Sequence, residues 1–357
     1  MRVLSVVGAR PQFVKLAPIA EAMRSRAEHI VVHTGQHYDE LMSDVFFRDL
    51  GISAPDVNLA VGSGKHGAQT GAMLSGLEPL LERYAPDWVL VYGDTNSTLA
   101  AAIAAVKLHM PVAHLEAGLR SFNRRMPEEH NRVLTDHAAD LLLAPTEVAM
   151  RHLASEGLAS RSVLVGDVMT DVLYAVRDRV AGQSLPLPAG VEPGRFLLAT
   201  LHRPDNTDDR DRLGVIVEQL SSLDLPVVLA AHPRLRAAAE RWGVDLERGS
   251  IRVVEPLAYP ALVSAVASSA GVITDSGGLQ KEAFLLRVPC TTVRRETEWV
   301  ETVELGWNQL VGDDLEQLGS AANRPRPAET EATPYGDGSA AQRVVEALIA
   351  AQSPARQ

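Results

Sequence analysis

The chain has 357 residues, 46% hydrophobic and 22% charged, with a net charge of −11. That length allows two domains with sizeable cores, and the acidic balance argues against a broad basic surface for nucleic acid. A single cysteine, Cys290, excludes internal disulfides and cysteine-rich zinc sites, and no apolar run approaches the roughly 18 residues that span a membrane.

The first apolar run, Val3–Val7, is too short for a signal-peptide core, so MRVLSVVGARPQ reads as a first β-strand of a cytoplasmic protein. Gly8-Ala9-Arg10-Pro11 follows. Gly8 permits a tight turn, and Pro11 suits the first turn of a helix, with a helical pattern over Val14–Arg26. Arg10 and Lys15 would then stand near the strand end as anion contacts. Further buried strands are expected at Ile30–Thr34, Trp88–Tyr92, Val112–His114 and Leu141–Ala144, with helices over Thr95–Leu108 and Asn131–Ala139. This alternation predicts a parallel sheet covered on both faces. Gly182–Gly194, with three prolines and three glycines, is the best linker candidate. The alternation restarts at Phe196–Thr200, Val227–Ala231, Ile251–Val254, Gly271–Thr274 and Thr291–Val293. Two α/β halves are expected, residues 1–170 and 171–339, followed by a C-terminal helix and tail over 340–357. The helix, about Ala340–Ala351, can pack on either half. Ligands of open parallel sheets bind at strand C-terminal ends, so two doubly wound halves are expected to face a central cleft.

The polar residues at those ends carry the chemistry. Gly93-Asp94-Thr95-Asn96-Ser97 follows a strand, placing Asp94 at its end and Thr95–Ser97 where they cap the next helix. His114–Arg132 packs Glu116, Glu128 and Glu129 among Arg120, Arg124, Arg125 and Arg132. Such acids move protons and such arginines hold phosphate or carboxylate, although a salt-bridged helix start has the same composition. Pro127-Glu128-Glu129 opens a helix, where proline and acids both suit the first turn. Glu128 and Arg132, four apart, share a face. His202 and Arg203 leave the first strand of the second half, placed to bind phosphate and exchange protons; His232-Pro233-Arg234 is a weaker copy. The strongest phosphate signal is Thr274–Glu282. Its Ser276, Gly277 and Gly278 stand between strand and helix, where exposed amides meet a phosphate, and Glu282 is one turn in, placed to accept from a ribose diol.

Three tempting motifs are discounted. Gly62–Gly67 matches GxGxxG by spacing, but a dinucleotide fingerprint belongs on the principal first βα turn, which Gly8–Pro11 occupies. Ala68 stands where a Walker lysine would be. His114-Leu115-Glu116 matches the HxE of zinc deaminases without the PCxxC, and no HExxH occurs. Neither a nicotinamide cofactor nor a catalytic metal is expected.

GARPQFVKLAP, TGQHYDE, YGDTNSTLAA, HLEAGLRSF, MPEEHNRVLTDH, TLHRPDN and TDSGGLQKEA fall, from residue 1 to about 312, in the order of one family. The chain resembles the non-hydrolysing UDP-N-acetylglucosamine 2-epimerases. The resemblance implies two Rossmann-like domains in the glycosyltransferase B-type architecture, usually a homodimer, acting on a UDP-sugar with no cofactor. It implies Asp94, Glu116 and Glu128 as catalytic carboxylates and His202 as the cleft histidine near the diphosphate. It likewise assigns Arg10 and Lys15 to the N-terminal binding pair, Arg132 to the helix arginine, Ser276, Gly277 and Gly278 to the phosphate cradle, and Glu282 to the ribose.

Chemistry supports the same reaction. The hydrogen on C2 of a UDP-sugar is not acidic, because C1 is an acetal. Either C3 is oxidised first, or UDP leaves as C2–H breaks, giving a 2-acetamidoglucal to which UDP re-adds. The second route needs carboxylates at C2, cations on the diphosphate and exclusion of water.

Departures from the pattern also carry information. Many bacterial members hold a second UDP-sugar through a Gln-His loop and a later arginine. Gln36 and His37 match that loop, whereas Asp39 replaces a common glutamine and Ala72 the expected arginine. SFNRRMPEE and ETEWVET resemble the subgroup acting on UDP-2,3-diacetamido-2,3-dideoxyglucuronic acid, whose carboxylate Arg124, Arg125, Arg294 and Arg295 could recognise. Arg295 itself departs from the acidic residue usual there. A hydrolysing relative, a B-type glycosyltransferase and a noncatalytic UDP-sugar sensor are the competing functions.

Overall fold

The structure, a computed structural model, describes residues 1–36, 54–183, 186–312 and 314–351. The chain divides into two compact units: Met1–Val172 joined by the segment from Thr333 onward, and Leu173–Ala332.

The first unit is built on strands β1 (Arg2–Val7), β2 (Glu28–His33), β3 (Val57–Asn58), β4 (Trp88–Tyr92), β5 (Val112–Leu115), β6 (Leu141–Ala144) and β7 (Ser162–Leu164). All pair in parallel, in the order β3-β2-β1-β4-β5-β6-β7. Both faces of the central strands are buried, so their sequences are nearly continuous apolar runs. On one face, Phe13, Leu16 and Ile19 of the helix Arg10–Met23 pack with Val344, Val345 and Leu348 of the helix Ala340–Ala350. On the other, Met73, Leu77 and Leu81 of the helix His66–Tyr84 join the buried alanines of the helix Asn96–Lys107. The C-terminal helix therefore belongs to the first unit. Trp88 Nε1 donates to the Leu348 carbonyl at 3.1 Å, and the Asp171 carboxylate caps the helix by accepting from Ala340 and Ala341 N–H at 3.0 and 2.7 Å.

The second unit repeats the design with β8 (Leu197–Thr200), β9 (Val227–Ala230), β10 (Ile251–Val254), β11 (Gly271–Thr274), β12 (Cys290–Thr292) and β13 (Asn308–Leu310). These strands are also parallel, ordered β10-β9-β8-β11-β12-β13. The chain passes between units inside the helix Val168–Val180, not at Gly182–Gly194. Val191 from that stretch is buried in the second core, and Gly194 N–H donates to the Ser268 carbonyl at 2.7 Å.

In each sheet the order of strand addition reverses once, between β1 and β4 and between β8 and β11. In a doubly wound sheet the crevice at this reversal is where ligands bind. The four loops there follow Val7, Tyr92, Thr200 and Thr274. They carry GARP, GDTNS, LHRP and DSGG, four of the chemical motifs found in the sequence. The α/β class and doubly wound halves are as expected. Three short edge strands, β3, β7 and β13, escape the sequence reading because two or three residues set no period. Among the described residues no helix is long and apolar enough to cross a membrane.

Candidate active site

In the first unit the loops after β1 and β4 are locked together. A Cβ on Gly8 would lie 2.1 Å from Thr34 Oγ1 and 2.2 Å from Ser97 Oγ, so only glycine fits. Gln12, buried on the first helix, accepts from Gly8 and Ala9 N–H at 2.7 and 3.0 Å. It donates to the Tyr92 carbonyl at 2.7 Å and to Thr95 Oγ1 at 3.0 Å. Thr95 is the N-cap of the next helix, accepting from Thr98 N–H. Gln36 Oε1 accepts from both the N–H and the hydroxyl of Ser97, at 3.1 and 2.7 Å.

Two carboxylates are presented on this scaffold, each against a cation. Glu116 pairs with Lys15, and both side chains are mostly buried. Burial pulls the Lys15 ammonium down, but Glu116, with Asp167 and Asp94 beyond it, outweighs burial and leaves its pKa raised. Glu116 has a φ of 69°, a left-handed conformation that costs a non-glycine residue on the order of 1–3 kcal/mol. Asp94 pairs with Arg132 from the helix Pro127–Ala138. Asn131, next on that helix, donates to the Asp94 carbonyl at 2.9 Å.

The two glutamates at the start of this helix have separate fates. Glu129 is buried, accepting from Ser121 N–H and Oγ at 2.9 and 2.8 Å, Phe122 N–H at 2.9 Å and Arg132 at 3.1 Å. Burial works against its charge, yet these donors hold it below the usual carboxylate range. Glu128 is exposed in the first turn. Arg10 is exposed in the first turn of its own helix. His37 lies outside the described residues.

The second unit holds a polar seat around a buried aspartate. Asp275, fully buried after β11, accepts from His202 N–H at 3.1 Å, Arg203 N–H at 2.9 Å and Asn206 Nδ2 at 3.0 Å. It thereby shapes the loop after β8 and leaves the His202 ring partly exposed, with Nδ1 3.3 Å from Oδ1. Ser276 begins the helix Gly277–Leu285 without spending its hydroxyl on a cap. The first amides of a helix have no partner within it, so this end suits an anion. A Cβ on Gly278 would meet nothing within 4 Å, whereas one on Gly277 would stand 3.3 Å from the Glu298 carboxylate. Glu298 is paired with Arg294 at 2.8 Å and Arg203 at 3.8 Å. Glu282 accepts from the Tyr259 hydroxyl at 3.0 Å, and burial raises its pKa against the pull of Tyr259 and Lys281.

In the first unit Lys15 meets Glu116, Arg132 meets Asp94 and Gln36 meets Ser97, whereas Arg10 and Glu128 stand exposed on helix first turns; the second unit carries His202, Arg203, Ser276, Gly277, Gly278 and Glu282. Sequence reasoning gave no role to Gln12, Asn131 or Asp275. All three stand inside the quoted motifs, but each also reaches a partner 37 or more residues away. Only their buriable polar character inside those motifs marked them.

A family model described as UDP-N-acetylglucosamine 2-epimerase matches residues 21–349. The UDP-2,3-diacetamido-2,3-dideoxy-D-glucuronate 2-epimerase of Pseudomonas aeruginosa is 46% identical, over 98% of this chain and 99% of that protein. A UDP-N-acetylglucosamine 2-epimerase homolog of Methanococcus maripaludis is 43% identical over the same shares. The solved UDP-GlcNAc 2-epimerase of Methanocaldococcus jannaschii superposes with a TM-score of 0.86 at 37% identity, covering 98% of this chain and 100% of that one. A second structure of the M. jannaschii enzyme, in complex with UDP-GlcNAc and UDP, covers the same shares with a TM-score of 0.76 at 39% identity. The chain belongs to the UDP-N-acetylglucosamine 2-epimerase family.

Proposed function

We propose that the protein interconverts UDP-GlcNAc and UDP-ManNAc by elimination of UDP and re-addition. The observation that carries this is the pair of carboxylates at adjacent strand ends, Asp94 after β4 at the first sheet's reversal and Glu116 after the neighbouring β5, each held by a cation. In the forward half a carboxylate takes the C2 proton while the C1–O bond to UDP breaks, and a C1=C2 bond forms. In the return half a proton reaches C2 from the opposite face and the UDP oxygen re-forms its bond to C1. Asp94, Glu116 and Glu128 are the proposed acid–base groups. His202, Arg203, Ser276, Gly277 and Gly278 are assigned to the leaving diphosphate, Glu282 to the ribose, and Arg10, Lys15, Gln36, His37 and Arg132 to substrate binding. Such positioned acid–base groups contribute about 10²–10⁴-fold each. No nicotinamide is needed on this route. The proposed setting is a cytoplasmic homodimer, the usual state of the family.

A second substrate is favoured by one feature. Arg124, Arg125, His66 and His130 line a pocket with Asn96 and Asn131, and no carboxylate lines it among the described residues. Asn131 also holds the Asp94 carbonyl. A sugar carboxylate suits such a cationic lining, as in a UDP-2,3-diacetamido-2,3-dideoxyglucuronic acid. The purified protein should be offered both UDP-sugars and the products separated by chromatography and NMR. C2 inversion of either supports the epimerase, and the faster substrate identifies its branch. Accumulation of UDP with free sugar would replace it by the hydrolysing reaction, and binding without turnover by a sensor.

A further inference from the structure

We propose that His114 is a positioning residue for this reaction, gripping the Gly93 carbonyl through its Nε2–H and so fixing the loop that carries Asp94 beside Glu116. The inference rests on the proposed roles of Asp94 and Glu116.

His114 is wholly buried on β5, two residues before Glu116. Its Nε2 lies 2.7 Å from the Gly93 carbonyl oxygen and its Nδ1 2.6 Å from Asp136 Oδ1. A carbonyl only accepts, so Nε2 carries a hydrogen. Asp136 is itself immobilised. It accepts from Gly118 N–H at 3.0 Å and pairs with Arg120 at 2.7 Å. Arg120 in turn holds Glu156 through Nε at 2.7 Å and a terminal nitrogen at 2.9 Å. Burial opposes the Asp136 charge, but His114, Arg120 and Gly118 keep its pKa below the ordinary value. A string of polar contacts thus runs from Glu156 through Arg120, Asp136 and His114 to Gly93.

The far end of that string is the peptide that leads directly into Asp94. Gly93 has a φ of 61° and Glu116 one of 69°. Gly93 N–H is already taken by the Leu115 carbonyl at 3.0 Å, so His114 completes a clamp on both sides of the residue. A Cβ on Gly93 would lie 3.2 Å from Glu116 Oε2 and 3.6 Å from Lys15 Nζ. Any swing of this residue therefore changes how Asp94 stands to the Glu116–Lys15 pair. Misplacement of about 1 Å can cost on the order of 10²-fold in rate.

Two substitutions separate the two contacts. A glutamine amide nitrogen reaches near the Nε2 position, and an asparagine amide nitrogen near Nδ1. With wild type active on UDP-GlcNAc, His114→Gln should keep at least about a third of kcat. His114→Asn should lose about 30- to 100-fold in kcat with KM changed less than about twofold. The reverse order, or wild-type kcat in both, would overturn the inference. A wild type inactive on every UDP-sugar tried would instead sink the parent reading. Should neither variant fold, NMR of wild-type protein labelled with ¹⁵N-histidine decides. The expected signal is a hydrogen on His114 Nε2 that shifts in Asp94→Asn, and a ring hydrogen on Nδ1 alone would overturn the clamp.

Discussion

Glu116 combines a left-handed backbone with a mostly buried carboxylate and a buried lysine set against it. Strain of this kind persists only where the surroundings over-determine it, and here those surroundings hold a carboxylate proposed for proton transfer. Glu116→Gln keeps the volume and removes the proton acceptor. Turnover should fall by about 10³-fold or more while affinity for UDP changes less than about threefold, measured by steady-state kinetics and calorimetry. Glu282 makes the opposite compromise. Burial lifts its pKa above the ordinary 4.5, so its contribution to stability is full below pH 4.5 and is lost as pH rises through the raised folded value. Glu282→Gln should therefore raise Tm at pH 7.5, with the advantage closing below pH 4.5. UDP affinity should drop by about tenfold, as expected from losing a hydrogen bond to a charged group worth about 1.5–3 kcal/mol. A variant no more stable than wild type would contradict that reading of Glu282.

At the scale of elements, the helix Gly277–Leu285 carries the proposed diphosphate seat. Gly278 has open space where a Cβ would stand, and alanine is about 1 kcal/mol better than glycine inside a helix. Gly278→Ala should leave Tm equal or higher and weaken UDP binding by about tenfold or more. Unchanged binding would remove the diphosphate from this helix end. The buried strands were legible because β4, β6 and β9 are bounded apolar runs. The helix over Pro127–Ala138 was legible from its proline and acids, although which glutamate is buried was not. Glu129 is chosen by the Ser121–Phe122 turn, a tertiary contact with no sequence period. The linker was misplaced for a similar reason. Proline and glycine mark irregular backbone, but Val191 packs that stretch on the second core and the crossing occurs within a regular helix. Asp275 and His114 were beyond reach because their roles consist of distant partners.

At the scale of the molecule, the same strand order occurs twice, and the last helix returns to the first unit. Val344, Val345 and Leu348 are buried there. Each contributes about 1.5–3 kcal/mol, so together they rival the roughly 5–15 kcal/mol that holds a whole domain. A chain ending at Gly338 should lose a protease-resistant first unit while the second remains resistant, seen by limited proteolysis; equal resistance of both would contradict the packing. The central claim is that a carboxylate of the first unit takes the C2 proton of a UDP-sugar and that a different, solvent-derived proton reaches C2 from the opposite face. Incubation with UDP-GlcNAc in deuterium oxide, read by NMR at C2, tests it most directly. Deuterium at C2 appearing together with the manno epimer is the predicted result. Manno epimer with the original hydrogen retained, or neither label nor epimer with any UDP-acetamido-sugar, would contradict it.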